Sequence, residues 1–355
     1  MCNTTEQDSA KTNLSCPFAS PSEDQVLVLL SFLLEGLFQM MISSLGLLTN
    51  TVSILVLQRR ALRKNVFNQL LVVLAVFDLV YCTTTLLESL IRLGMPSYVY
   101  NIFFPHLIYP VNSIVMTGSI YMTMAIALER YLAVHQPMFR VPNQFSAITN
   151  DSSLRRKQLR QYVVPITLFS VIFNIPKYFE SYLVFEENEV NIEVADFRMS
   201  YWYVTWYQNW ARLVLLGVFP FLATSCFNFH IYLLLSKKRS IPPDTRRKKE
   251  ENFFGVLLMI IVTFLVCNAL RIFLNMHEIF VIDQIQLCKC SELGGFPVWV
   301  LILGFISPVF LVFNSSVNLI IYCIFSEKFR KELRIVMSYY TKAEESPSTE
   351  MNEFL

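Results

Sequence analysis

The chain has 355 residues, of which 54% are hydrophobic and 14% aromatic, while only 16% are charged. A soluble domain carries roughly a quarter charged residues, so this composition argues against a soluble globular protein and for surface that faces lipid. The net charge of +2 says little, because the charges are segregated along the chain.

Residues 1–26 are polar and hold Asn3-Thr4-Thr5 and Asn13-Leu14-Ser15, two glycosylation acceptor patterns. A bilayer-crossing helix needs about 20 apolar residues. Stretches at 27–57, 67–92, 104–135, 161–185, 210–236, 252–281 and 297–325 meet that length. None alternates with a period of two, so they read as helices and not as strands of a membrane barrel. The first is too long and too far from the start for a cleaved signal peptide. The expected fold is all-α: an integral membrane seven-transmembrane helix bundle over 27–325. Residues 326–340 then set Phe329, Leu333, Ile335 and Val336 among Lys328, Arg330, Lys331 and Arg334, the pattern of a short amphipathic helix on a membrane surface. Residues 341–355 are acidic with Ser and Thr, and are expected to be a disordered cytoplasmic tail.

Loop charge orients the bundle. Arg59, Arg60, Arg63 and Lys64 follow the first span; Arg140, Arg155, Arg156, Lys157 and Arg160 follow the third; and a run from Lys237 to Lys249 follows the fifth. The loop after the fourth carries Glu180, Glu186, Glu187, Glu189, Glu193 and Asp196. The basic side is therefore expected to be cytosolic, with an extracellular N-terminus in the plasma membrane.

Charges within a span cost at least about 2.5 kcal/mol on insertion scales. Asp78 lies deep in the second span, and Asn112, Met116, Ser119, Thr123 and Arg130 form one stripe on the third. Asn314 and Asn318 share a face of the seventh. Asp78, Ser119, Asn314 and Asn318 admit two readings: an oxygen-rich pocket for a small cation such as sodium, or polar glue between helices. Glu129-Arg130-Tyr131 closes the third span, where an acid–base pair also suits a snorkelling helix end.

Further marks fall in order: Asn50 in the first span, Leu74-Ala75 with Asp78 in the second, and Glu129-Arg130-Tyr131 in the third. Phe219-Pro220 follows in the fifth, Phe264 with Cys267 in the sixth, and Asn318 with Tyr322 in the seventh. On these residues the chain resembles the rhodopsin-like G-protein-coupled receptors over nearly all its length. The resemblance implies a heterotrimeric G-protein partner and an arrestin. Arg130 would hold the inactive state through Glu129 and Glu250, and Tyr322 would move inward on activation. Asp78, Ser119, Asn314 and Asn318 would be the sodium pocket. The sixth-span tryptophan and proline usual in the family are Asn268 and Leu270 here, and Leu319 replaces the seventh-span proline. Proline kinks helices, so both inner segments are expected to be less bent than usual.

The family's usual disulfide is missing, since Pro105 stands at its third-span position and 177–210 hold no cysteine. Cys82, Cys226, Cys267 and Cys323 fall inside spans and read as reduced core residues. Cys16 could bridge to Cys288 or Cys290 at the oxidising face, and sequence does not choose between the pairings.

Polar residues in the outer half are Glu88 and Arg92, four apart, and Asn268, Arg271, Asn275 and Glu278 on the sixth span. Glu88 and Arg92 read either as an intrahelical pair or as ligand groups. Arg271, seven after Phe264, needs an acceptor from a bundle carboxylate or a ligand carbonyl. The acids of 180–196 and the aromatics Tyr201 to Trp210 suit a cationic, aromatic ligand, or else make a solvated loop beside an interfacial belt. Asn174 to Glu180, Cys267-Asn268 with Arg271 and Asn275, and Phe313 to Phe325 are similar to the invertebrate FMRFamide-type neuropeptide receptors. That resemblance implies a short amidated peptide, bound by Glu88, Arg92, Asn112, Met116, Glu180, Arg271, Asn275 and Glu278, with Glu88, Glu180 or Glu278 taking its arginine. The alternatives are another peptide, an orphan receptor, or a membrane transporter. His106, His135, His230 and His277 make no ligand-spaced pair and no nucleophile motif stands out, so no enzyme is expected; no nucleic-acid partner is expected either.

Overall fold

The computed structural model describes residues 21–94, 98–135, 152–185, 190–238, 245–290 and 296–345. Among these, seven helices are long and apolar enough to cross a membrane: α1 (Glu23–Leu57), α2 (Val66–Arg92), α3 (Asn101–His135), α4 (Ser152–Phe179), α5 (Tyr203–Leu234), α6 (Thr245–Cys290, with its apolar part at Leu258–Val281) and α7 (Val298–Ser316). A short helix, α8 (Asn318–Phe325), continues α7, and α9 (Glu327–Glu345) follows. Between α4 and α5 a hairpin pairs β1 (Ser181–Phe185) with β2 (Val190–Val194), Ser181 opposite Val194 and Phe185 opposite Val190.

Two spans move. The fourth helix does not run through 161–185; it starts at Ser152, ends at Phe179, and residues 181–185 are a strand. Alternating Tyr182, Val184 and their partners hold a ladder that an apolar count reads as more helix. The fifth starts at Tyr203, not 210, and takes Trp206, Tyr207 and Trp210 into its first turns. Tyr203–Ala211 and Leu213–Val218 are wound as π-helix, a local underwinding found at functional segments. At the far end, α9 runs past Tyr340 to Glu345.

The core fits a bundle in lipid. Leu70, Leu74, Met122, Ile126 and Val312 are fully buried between helices, while Leu48, Ile172 and Phe280 (82% exposed) stand on the outside. Such large apolar groups are left out of water only if lipid covers them. Cys226 is one of the outward groups and not a core residue, and Cys323 is only half-buried; Cys82 and Cys267 are buried. All four thiols are free.

Polar ties set the helix contacts. α1 approaches α2 and α7 at Gly46, where a Cβ would collide with Cys82 Sγ and the Ser316 hydroxyl. Asn50 Nδ2 donates to Ser315 O at 2.9 Å and Thr49 Oγ1 to Ser316 O at 2.9 Å. Asn174 of α4 donates to Thr117 of α3 at 2.9 Å, and the Tyr121 hydroxyl of α3 to Leu215 O of α5 at 2.9 Å.

The seventh helix is broken in spite of Leu319. Ile320 N bonds Val317 O at 3.0 Å, an i to i+3 bond, and leaves Ser316 O to Thr49 of α1. Side chains of α1 thus take the carbonyl that the helix would have used, and the interruption needs no proline. α6 is continuous, as Leu270 leads one to expect.

Candidate functional site

The hairpin end and the opposite end of the bundle carry different chemistry. At the hairpin end, Glu180 is 0% exposed and fully engaged. Lys177 Nζ lies 2.6 Å from Glu180 Oε1, and Arg198 Nε 3.7 Å from Oε2. The Tyr109 hydroxyl donates to Oε2 at 2.8 Å and the Tyr203 hydroxyl donates to Oε1. Lys177 also donates to the Tyr109 oxygen at 3.0 Å and lies near the Tyr109 and Tyr207 rings. Burial opposes the Glu180 charge, but Lys177 and the two tyrosine hydroxyls outweigh it and hold the carboxyl below its ordinary range.

Glu180 was one of three carboxylates, with Glu88 and Glu278, offered for a ligand arginine, and here its oxygens are engaged within the bundle. A carboxylate with this many donors has no free lone pair facing a pocket. It instead ties α3 (Tyr109), the loop after α4, and α5 (Tyr203) together. Of these, α3 and the loop after α4 are the two elements that the missing disulfide would have joined. The hairpin is held to the same knot by Ala195 N to Glu180 O at 3.0 Å and by Asn101 Nδ2 to Val190 O at 2.9 Å.

Glu88 and Arg92 do not pair with each other. Arg92 Nη2 lies 3.3 Å from Glu35 Oε2 of α1, which the reading of the sequence overlooked. Glu88 accepts from Asn112 Nδ2 of α3 at 3.2 Å, and Asn112 Oδ1 accepts from Thr84 Oγ1 at 3.1 Å. Among the described residues Glu88 makes no ion pair. Across the bundle, Arg271 does point inward, but its partner is the Met116 sulfur at 2.7 Å and not a carboxylate. Tyr81 stands within electrostatic reach of both Glu88 and Arg271. Asn275 and Glu278 are half-buried further along α6, where the neighbouring His277 packs edge-on against Trp299 at 4.6 Å.

Midway down, Asp78 is 1% exposed. It accepts from Ser119 Oγ at 2.7 Å and from Asn318 Nδ2 at 2.8 Å, with Ser315 as a further hydroxyl partner. Asn314 is half-buried, and Ser315 holds the place expected for it. One carboxylate and two hydroxyls, with no Lys or Arg paired to them among the described residues, are a donor set that fits a small hard monovalent cation. Bound there, such an ion would supply the positive charge that the carboxylate lacks.

At the opposite end Arg130 Nε lies 2.9 Å from Glu129 Oε2, and its guanidinium stacks 3.8 Å over Phe67. Tyr131 packs on Phe227 at 5.8 Å and His230 at 6.0 Å. Tyr322 is buried, its ring 5.4 Å from Phe329 and its hydroxyl without a hydrogen bond among the described residues. Arg59 pairs with Glu332 of α9 at 3.2 Å, and Arg155 donates to Lys64 O at 3.1 Å, so the basic segments meet at this end. Glu250, Cys288 and Cys290 lie on α6, but their side chains are outside the described set, as are Asn3, Asn13 and Cys16 altogether.

The geometry agrees with three comparisons to known proteins. The chain is 27% identical over 334 residues to the FMRFamide receptor of Drosophila melanogaster, covering 85% of this chain and 53% of that one. It is 29% identical over 312 residues to the FMRFamide peptide receptor frpr-18 of Caenorhabditis elegans, covering 82% of this chain and 66% of that one. The chain thus spans about half the length of the first relative and just under two thirds of the second. The family model of the seven-transmembrane receptors (rhodopsin family) matches residues 49–322. That segment runs from Thr49 in the α1–α7 contact to Tyr322 beneath α9 and contains the Asp78 cluster and the Glu129–Arg130 pair, so the chain belongs to the rhodopsin family of seven-transmembrane receptors.

Proposed function

We propose that this chain is a G-protein-coupled receptor for an extracellular neuropeptide, a short amidated peptide of the FMRFamide kind. The observation that carries the reading is Glu88: a carboxylate inside the hairpin end of the bundle, positioned by Asn112 and without an ion pair among the described residues. Burying a charge unpaired is costly, and a peptide guanidinium is its natural complement. Glu35, 3.3 Å from a largely exposed Arg92, adds negative potential on the same side. The names of the two relatives support this ligand class.

At the other end, Arg130 would leave Glu129 to help receive a G-protein helix, and Tyr322, with its buried hydroxyl unpartnered, would supply a hydrogen bond to the active arrangement. Asp78, Ser119, Ser315 and Asn318 would hold sodium in the resting state. The basic end faces the cytosol, and the hairpin end the exterior of the plasma membrane.

The test is to express the chain in cells and apply amidated peptides ending in Arg-Phe, with G-protein activation as the readout. Glu88→Gln should lower potency at least about tenfold, the worth of a charge-assisted hydrogen bond. Arg130→Ala should bind peptide and fail to signal. Equal potency on wild type, Glu88→Gln and Glu278→Gln would remove both carboxylates as the arginine site. Substrate flux with no G-protein response would favour a transporter.

A further inference from the structure

Charge inside the hairpin end is unequal on its two sides. The acids Glu35 and Glu88 lie towards α1 and α2, where Arg92 pairs with Glu35; a third acid, Glu278, stands on α6 seven residues beyond Arg271. Towards α5 and α6 stand Arg212 and Arg271, within electrostatic reach of each other, and Arg212 is also within reach of Lys177 and the Tyr109 hydroxyl. Lys177 and Arg198 share Glu180. Among the described residues neither Arg212 nor Arg271 makes an ion pair, and the thioether that Arg271 touches is a weak acceptor. Glu180 thus serves Lys177 and Arg198, its oxygens already taken, and leaves Arg212 and Arg271 with no carboxylate partner among the described residues.

A second observation falls in the same place. Asn209, three residues before Arg212, is 1% exposed, and neither end of its amide has a hydrogen-bond partner among the described residues. Asn209, Leu213 and Gly217 are spaced by four along the buried side of α5, and a Cβ on Gly217 would stand 3.1 Å from Ile272 of α6. The unpartnered amide lies on this buried side of α5, about one turn before Arg212. Buried polar groups are nearly always paired; the two guanidiniums lack an oxygen acceptor, and the Asn209 amide lacks both an acceptor and a donor.

We propose that the cleft between α5 and α6 binds a carboxylate of the ligand, held by Arg212 and Arg271. A carboxylate suits this set better than a neutral carbonyl, because guanidinium forks match its two oxygens and its charge offsets the local excess of cations. The carboxylate comes either from an acidic side chain of the peptide or from a small free acid. The first source rests on the receptor reading above; the binding site does not. Combined with Glu88, it makes the pocket two-ended, with acid towards α2 for a cationic group and base towards α5 and α6 for an anionic one.

The experiment has two arms. In the first, purified full-length receptor is heated with N-acetyl-aspartate amide or its uncharged twin, N-acetyl-asparagine amide, at millimolar concentration. The acid should raise the melting temperature of wild type and not of Arg212→Gln/Arg271→Gln, while Arg212→Lys/Arg271→Lys, which keeps the charges, should retain part of the rise. No difference between acid and twin, or an equal rise in the Gln variant, overturns the site. In the second arm, two peptides ending Arg-Phe-amide and differing only as Asp or Asn upstream are compared by G-protein response. Wild type should prefer Asp at least about tenfold, and the Gln variant should not. A rise in the first arm with equal response in the second assigns the site to a small free acid. A positive first arm with no response to either peptide overturns the amidated-peptide reading and leaves the carboxylate site standing.

Discussion

Glu180 and Lys177 form a buried ion pair, and removing one partner of such a pair leaves an uncompensated charge, at a cost of about 3–5 kcal/mol. Glu180→Gln and Lys177→Met should each lower the melting temperature of the purified receptor by several degrees. The double variant Lys177→Met/Glu180→Met should recover most of it, since an apolar pair of similar volume is often neutral or stabilising. A receptor in which Glu180 bound the ligand would show no such recovery. The same variants carry a pH signature. The Glu180 carboxyl is held below its ordinary value of about 4.3, so its contribution is complete above that value and is lost as pH falls through the folded one. Because the partner Lys177 is itself titratable, the comparison is made in acid, where its amine is charged: the melting difference between wild type and Glu180→Gln should hold at about pH 5 and shrink below about pH 4. A difference unchanged down to pH 3 would contradict the assignment. Lys177 and Glu180 were both visible in the sequence, three apart, but as loop charges. Nothing in their spacing said that Tyr109 and Tyr203 would close over them.

Helix contacts here depend on backbone approach as much as on apolar burial. Gly46 meets Cys82 and Ser316 with no room for a side chain, while Thr49 and Asn50 bond the α7 backbone one turn further on. Gly46→Leu should push α1 away from α7, loosen those bonds, and cost about 1–3 kcal/mol, the usual range for overpacking. Thermal melting in detergent would read it, and an unchanged melting temperature would mean that α1 shifts freely. The break between α7 and α8 belongs to the same contact. Leu319 led to an expectation of a straighter helix, because proline was the only kinking agent considered. Side chains of α1 that capture the Ser316 carbonyl do the same thing from outside the helix, which no local reading of α7 reveals. The α4 end was misplaced for a related reason: Ser181 to Phe185 are apolar enough to extend a helix, and only pairing with Val190–Val194 makes them a strand.

On the scale of the molecule, the Asp78 cluster joins α2, α3 and α7 through Ser119, Ser315 and Asn318, so an ion there would bind three moving parts at once. Sodium should raise the melting temperature of wild type relative to an equal concentration of choline, and Asp78→Asn should abolish that rise; an equal rise in both would leave polar glue as the cluster's role. The number of spans, their polarity pattern, the sidedness of the basic loops and the residues Asp78, Arg130, Asn318 and Tyr322 were all legible in the sequence. They follow from one-dimensional quantities: apolar run length, loop charge, and the expense of a polar group in lipid. The same expense also marked Glu35 in Leu33-Leu34-Glu35-Gly36 and Arg212 in Trp210-Ala211-Arg212-Leu213, though neither was singled out. What charge meets what charge was decided only by the tertiary structure. Arg92 turned to Glu35 and not to Glu88, Glu180 closed on Lys177, and Arg271 and Arg212 were left within electrostatic reach of each other with no ion pair among the described residues. Pairing depends on which helix faces lie opposite at a given depth, and that is fixed by close approaches such as Gly46 and Gly217 that bring distant parts of the chain together.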